Sequence, residues 1–246
     1  MDTKGKVYVI GIGPGNRDQM SMMALKAIES SDAIVGYKTY VNLIEDLLEG
    51  KEVTNSGMKK EVERCELAID EAEKGKVVSI VSSGDPGVYG MAGVILELVH
   101  KRNSNIEVEV VPGITAANAA ASSLGAPLMH DYAVISLSDL LTDWDVIRRR
   151  IDCAAAGDFI IALYNPRSKG RVTQIQEARE IILKHREPST TVGIVRNAKR
   201  EGEEVVVTTL EDMLKHEINM FTMVIIGNTN TYEINNMMIT PRGYFK

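Results

Sequence analysis

Short apolar runs separated by helical spacings dominate the first half of the chain. Lys6 to Ile10, Ala33 to Val35, Val77 to Val81 and Ile106 to Val111 have the length and composition of strands. Between them, Met20 to Ser30, Val62 to Lys74 and Met91 to Arg102 place apolar residues at helical intervals. This strand-helix-strand rhythm predicts a mostly parallel sheet with helices on both faces. The strands show little alternation, which agrees, because a strand covered on both sides has no wet face.

After Pro112 and Gly113, the small residues Thr115 to Ser123 predict a closely packed helix with Thr115 near its N-cap. Leu124 to Asp131 reads as a connection. Beyond it come strands at Tyr132 to Leu137, Phe159 to Tyr164, Thr191 to Val195, Glu204 to Val207 and Thr222 to Ile226, with helices at Trp144 to Ala155 and Arg171 to Lys184. A last short helix is expected from Thr208, whose spacing to Glu211 is that of a capping box. The pattern therefore predicts an α/β protein of two domains, 1–113 with a mostly parallel sheet and 114–246 with a mixed sheet. It contains no internal repeat.

Composition narrows the partners. With 246 residues, 44% of them hydrophobic, the chain can bury a substantial core. Its 34 acidic and 28 basic residues give a net charge of -6, and no run of Lys and Arg forms a stripe, so nucleic acid is an unfavourable partner. An anionic ligand must be met by local cations. The first residues, MDTKGKVYVIGIGPG, enter a strand directly, without the features of a signal peptide, and no apolar run approaches bilayer length. A cytoplasmic protein without membrane association is expected. Cys65 and Cys153 are isolated, which predicts two buried or half-buried free thiols and no metal site. Met20, Met22 and Met23 fit helix packing better than a ligand surface.

Three loops follow strands and precede helices. Gly11-Ile12-Gly13-Pro14-Gly15-Asn16 allows a tight turn and close approach of backbone to a ligand. Asn16 stands where a dinucleotide fingerprint needs its third glycine, Pro14 offers no N–H to a phosphate, and no Gly-Lys-Ser/Thr completes a Walker loop. A ligand-facing turn and a structural turn both fit this segment. In Ser82-Ser83-Gly84-Asp85-Pro86-Gly87-Val88-Tyr89-Gly90, Asp85 has two readings, a ligand contact or the cap of a helix beginning near Tyr89. Val111-Pro112-Gly113-Ile114-Thr115-Ala116 repeats the arrangement. Ligands of open α/β sheets bind outside the carboxyl ends of the strands, so all three loops fall on one functional edge.

GIGPG at 11–15, SSGDPGVYG at 82–90 and VPGITAANAAAS at 111–122 resemble the three N-terminal signatures of the tetrapyrrole methylase family, and the resemblance extends over nearly the whole chain. It implies the fold of that family, with the active site in a cleft between two α/β domains, S-adenosylmethionine as cofactor, a polycarboxylated tetrapyrrole as substrate and a homodimer. Carried over position by position, it implies that Pro14, Ser83, Gly84, Asp85, Val88, Thr115 and Ala116 line the cofactor site, joined by Tyr164, Asn165, Ala198 and Thr222 of the second domain. LGAPLMHDYAVISLSDLLTDW at 124–144, ALYNPRSKGR at 162–171 and GIVRNAKREGEEVVVTTL at 193–210 are similar to family members that methylate ring carbon 17 and contract the macrocycle on the route to cobalamin.

Methyl transfer from a sulfonium chiefly needs alignment and exclusion of water. Ring contraction needs protons to move, and Asp85, His130, Asp131 and Tyr164 are groups able to move them. A lone loop histidine such as His130 is more often a surface residue. Arg167, Lys169 and Arg171, and again Arg196, Lys199 and Arg200, supply cations after second-domain strands. Solvated loop charge is the alternative reading; the resemblance, whose strings YNPRSKGR and VRNAKR contain Arg167, Arg171 and Arg196, implies these three as partners for substrate carboxylates. Competing functions are a corrin-pathway methylase acting at another ring carbon, a methylase of diphthine precursors or ribosomal RNA, a tetrapyrrole carrier without catalysis, and an NAD-dependent oxidoreductase. The second-domain strings favour carbon 17, the cofactor-loop matches disfavour a carrier, and Pro14 and Asn16 disfavour NAD.

Overall fold

The computed structural model describes residues 5–57 and 60–244, so the first four residues of the opening segment lie outside the described residues. The chain divides into two compact units, Met1–Ala116 and Ala117–Lys246. In the first, strands β1 (Lys6–Gly11), β2 (Ala33–Tyr37), β3 (Glu52–Ser56), β4 (Val77–Ser82) and β5 (Glu107–Val111) form one sheet in the order β3-β2-β4-β1-β5. Every pairing is parallel. Helices α1 (Met22–Glu29), α2 (Lys38–Asn42), α3 (Glu61–Glu73) and α4 (Ala92–Lys101) complete it.

The central strands are buried on both faces, and their alternate residues divide between two cores. Val7, Val9, Val78 and Ile80 pack with Cys65, Ala68 and Ile69 of α3 and Ile95 of α4. Ile10, Ile34 and Val81 pack with Ala24, Ala27 and Ile28 of α1 and Val41 of α2. The crossovers leaving β1 and β4 therefore run over opposite faces, and the loops after these adjacent strands flank a topological switch point.

Three local expectations for this unit change. Met20 packs in the core, but Met22 and Met23 are exposed on the first turn of α1, which starts at Met22 because the Ser21 hydroxyl caps it by accepting from Ala24 N at 3.0 Å. The short α2 and the edge strand β3 are additional; β3, Glu-Val-Thr-Asn-Ser, has no apolar face and joins the sheet through its backbone. Cys65 is fully buried, and loss of hydration pushes its thiol up to about 12. Cys153 is exposed. An aryl disulfide reagent at mildly alkaline pH should consume one thiol of the native protein, at Cys153, and reach Cys65 only after denaturation; rapid reaction of both would contradict this packing.

The second unit begins within α5 (Ala116–Leu124) and continues through β6 (Gly125–Ala126), β7 (Tyr132–Ser136), α6 (Trp144–Ala156), β8 (Ile160–Tyr164), α7 (Gln174–Ile182), β9 (Thr191–Arg196), β10 (Glu204–Thr209), β11 (Thr222–Ile226), β12 (Tyr232–Ile234) and β13 (Met237–Ile239). Its main sheet runs β10-β9-β11-β8-β7, parallel between β7 and β8 and antiparallel elsewhere. Ile161, Leu163, Val192, Ile194, Val224 and Ile226 face α6 and α7 in one core. On the opposite face α5 lies so close over β9 that a Cβ on Gly193 would come within 2.4 Å of Leu124 Cδ1. A small sheet, β12-β13-β6, is additional to the sequence expectation.

The helix expected from Thr208 does not form. β10 continues to Thr209, with Thr208 paired opposite Val192, and the Thr208 hydroxyl meets His216 Nε2 at 3.2 Å. Thr209 instead accepts from Asp212 N at 3.3 Å, followed by a single 3₁₀ turn at Met213–Lys215. The ladder with β9 outweighs a local capping pattern. Among the described residues, no helix is long and apolar enough to cross a membrane.

Candidate functional site

Three loops of the first unit are bound into one surface by backbone contact. Gly13 N donates to Gly84 O at 3.1 Å, Gly84 N donates to Gly13 O at 2.8 Å, and Ile12 N donates to Ser82 O at 2.9 Å. Gly13 and Gly84 have φ of 58° and 69°, which a side chain would strain. The β5 loop packs just as tightly: a Cβ on Gly113 would lie 2.2 Å from Gly84 O and 2.6 Å from Gly11 O. The glycines at 11, 84 and 113 therefore meet one another without intervening side chains.

Asp85 locks this surface. Its Oδ1 accepts from Gly87 N at 2.8 Å and its Oδ2 from Gly113 N at 3.0 Å, joining the β4 and β5 loops. It does not cap a helix near Tyr89, because α4 starts three residues later, at Ala92, and Met91 at its N-cap makes no side-chain cap. With both oxygens committed to backbone N–H groups, Asp85 is a positioning residue. Around it, Ser83, Val88, Thr115 and Ala116 are half-buried, while Pro14 and Gly84 are buried. Asn16 closes its own turn, its Oδ1 accepting from Gln19 N at 3.1 Å. Across segments 11–16, 82–90 and 111–116 the only charged side chain is Asp85. A surface with one carboxylate and no cation opposes phosphate and tolerates a sulfonium.

In the second unit the strand directions place the ends of β7, β8 and β9 and the start of β11 on one edge. Tyr164, Asn165, Ala198 and Thr222 all fall there. Tyr164 is 9% exposed, and its hydroxyl accepts from Ala117 N, in the first turn of α5, at 2.9 Å. Tyr164→Phe should leave that buried N–H without its acceptor and cost about 1–3 kcal/mol in denaturant unfolding; unchanged stability would show that the bond contributes nothing. Asn165, at φ 51°, donates from Nδ2 to Ser136 Oγ at 3.0 Å. The Thr222 hydroxyl is occupied in a turn, accepting from Asn219 N at 3.0 Å. Ala198 lies in a loop whose neighbours Asn197 and Lys199 have φ of 51° and 57°. Glu203 restrains that loop, its Oε1 accepting from Lys199 N at 2.7 Å and from the Ser123 hydroxyl at 2.6 Å. Partial burial opposes ionisation of Glu203, yet these hydrogen bonds prevail and lower its pKa.

The cations divide. Arg171 donates from Nε to Asn165 O at 3.1 Å and from Nη1 to Ser138 Oγ at 3.4 Å. Among the described residues it has no ion-pair partner; burial lowers its pKa despite the charge of Asp139, as for a cation short of an anion. Arg167 is exposed in the same loop. Arg196 is different. It ion-pairs with Glu204, with Glu217 at 3.9 Å, and the Glu204 hydrogen bond raises its pKa. Together with Ile194, Val206 and His216 these groups line a shallow cavity of about 140 Å³. Residues 192, 194 and 196 share one face, that of α6 and α7, whereas Tyr164 lies on the α5 side. Arg196 is thus held away from Tyr164 and Asn165 by the sheet, with carboxylates of its own.

His130 is also separated. It is exposed and precedes β7, whose first residue Tyr132 pairs with Ile160, while Tyr164 pairs with Ser136 at the other end. At the rise of a strand that separation is about 20 Å, too far for direct proton transfer. Ser136 and Ser138, which hold Asn165 and Arg171, are the edge residues that sequence patterning passes over; their signal is the polar string Ser-Leu-Ser-Asp directly after an apolar strand.

A family model described as "Tetrapyrrole (Corrin/Porphyrin) Methylases" matches residues 6–214. A Priestia megaterium protein named "Cobalt-factor III methyltransferase" is 52% identical over 245 residues, covering 98% of this chain; the chain spans 45% of that relative's length. A Salmonella typhimurium protein named "Probable cobalt-factor III C(17)-methyltransferase" is 49% identical over 236 residues, covering 96% of this chain and 98% of the relative. The crystal structure of the methyltransferase CobJ superposes with a TM-score of 0.92 at 36% identity, covering 96% of this chain and 100% of that one.

Proposed function

The chain belongs to the tetrapyrrole methylase family, and from that premise we propose that it methylates ring carbon 17 of cobalt-factor III in cobalamin biosynthesis, using S-adenosylmethionine. The observation that carries this reading is the nearly full-length identity of about half to relatives named for that substrate, one of them matched over nearly all of its own length. Those two names specify the cobalt-bearing macrocycle, and they stand closer in identity than the CobJ structure does.

The residues of the first unit fit the cofactor. Pro14, Ser83, Gly84, Val88, Thr115 and Ala116 offer backbone groups, hydroxyls and small apolar surfaces, with Asp85 holding two of the loops together. Such a set encloses an adenosine and an amino acid without demanding a phosphate. When bound, the cofactor supplies an activated methyl group: the ring carbon forms the new C–C bond as the methyl-sulfur bond breaks and its electron pair returns to sulfur. What the chain must do is orient and exclude water.

Arg171 and Arg167 are proposed to receive carboxylates of the macrocycle, Arg171 because its guanidinium is partly desolvated and, among the described residues, forms no ion pair. Arg196 is not retained for this role, since Glu204 and Glu217 already neutralise it. Tyr164, rather than His130, is the group on the functional edge able to hold or pass a proton during contraction. The test is incubation with S-adenosylmethionine and either cobalt-factor III or its metal-free counterpart, with the product resolved by mass spectrometry and NMR. A single added methyl at carbon 17 of the cobalt form is expected. A methyl at another ring carbon, or none, would overturn the assignment.

A further inference from the structure

Two leucines stand out on the surface of the second unit. Leu140 is 66% exposed and Leu141 is 96% exposed, yet the loop that carries them is anchored on both sides. Leu137 is fully buried and donates its N–H to Tyr164 O at 2.9 Å. Asp139 Oδ2 accepts from Gln174 Nε2 at 2.8 Å, and Asp143 caps α6 by accepting from Asp145 N at 3.0 Å. Between these anchors the two leucines are exposed, while Thr142 is half-buried. Their position is on the edge that carries Asn165 and Arg171, because the loop follows β7 as the arginine loop follows the adjacent parallel strand β8, and Arg171 bridges the two through Ser138.

We propose that Leu140 and Leu141 are substrate-contacting residues that pack on the face of the tetrapyrrole while the neighbouring Arg167 and Arg171 receive carboxylates at its rim. The inference rests on the functional reading above. Its support is chemical complementarity: the loops pair an apolar surface with cations at one strand edge, and the substrate class pairs a flat conjugated ring with a carboxylate border. Loss of hydration by the two side chains should reward macrocycle binding without touching the cofactor.

The test is the double variant L140S/L141S, compared with the unaltered chain in steady-state turnover of cobalt-factor III and in titration with uroporphyrin III, a flat polycarboxylated ring that serves as a binding probe. The KM for cobalt-factor III and the Kd for the probe should each rise about tenfold, while kcat at saturation and the KM for S-adenosylmethionine stay within about twofold. Because both positions are exposed, the melting temperature should not fall. Unchanged KM and Kd would overturn the proposal, as would a change in sedimentation showing that the leucines are buried between copies. An unaltered chain that binds the probe but leaves cobalt-factor III unmethylated would defeat the functional assignment instead, and the probe titration would still decide the role of the leucines.

Discussion

Replacing Gly113 by alanine should abolish useful methyl transfer and destabilise the first unit together. The added Cβ would sit 2.2 Å from Gly84 O and 2.6 Å from Gly11 O, and both obstacles are backbone atoms of neighbouring loops. No flexible side chain can yield, so the β5 loop must move away from the β1 and β4 loops. That movement also stretches the bond from Gly113 N to Asp85 Oδ2. Overpacking of this kind costs about 3 kcal/mol, and displacement of a binding surface by about 1 Å can lower turnover about a hundredfold. Differential scanning calorimetry and turnover at saturating cofactor measure the two effects. The control is Gly93→Ala in α4, where a Cβ meets nothing within 4 Å and no loss is expected. Equal behaviour of the two variants would show that the loops do not need their close approach.

What made this surface legible in the sequence was its position after buried strands. β1, β4, β8, β9 and β11 carry continuous apolar runs because both their faces are covered, and each is recognisable from composition alone. β3 has no such signal: its five residues are mostly exposed, and only pairing with β2 makes them a strand. Thr208 shows the converse, a valid local capping pattern overruled by a ladder partner sixteen residues earlier in the chain. The same limit applies to side-chain roles. Tyr164 ends a strand that its apolar run makes recognisable, but nothing near Arg196 in sequence shows that antiparallel register brings Glu204 opposite it. Nor does the string around His130 show that this residue precedes a strand at the edge remote from Tyr164.

Asp85 illustrates this most directly and should give the second large effect. One of its bonds, to Gly87 N, is local and resembles a common aspartate turn; the other reaches Gly113 N, 28 residues away, and no spacing rule reveals it. Asp85→Asn keeps one acceptor oxygen but turns an amide NH₂ toward a backbone donor, so one loop contact is replaced by opposed donors. Hydrogen bonds to a charged group are worth about 1.5–3 kcal/mol each, which predicts a stability loss of about 2 kcal/mol and weaker cofactor binding by about tenfold or more. Calorimetric titration with S-adenosylmethionine and with S-adenosylhomocysteine separates two causes. If Asp85 acts by holding the loops, both ligands lose affinity to a similar degree, since the neutral product uses the same surface. If its charge faced the sulfonium directly, the loss would fall mainly on S-adenosylmethionine. The commitment of both carboxylate oxygens to Gly87 and Gly113 predicts the first outcome. It also predicts that Asp85→Ala, which leaves both N–H groups without their acceptor, is the more destabilised of the two variants.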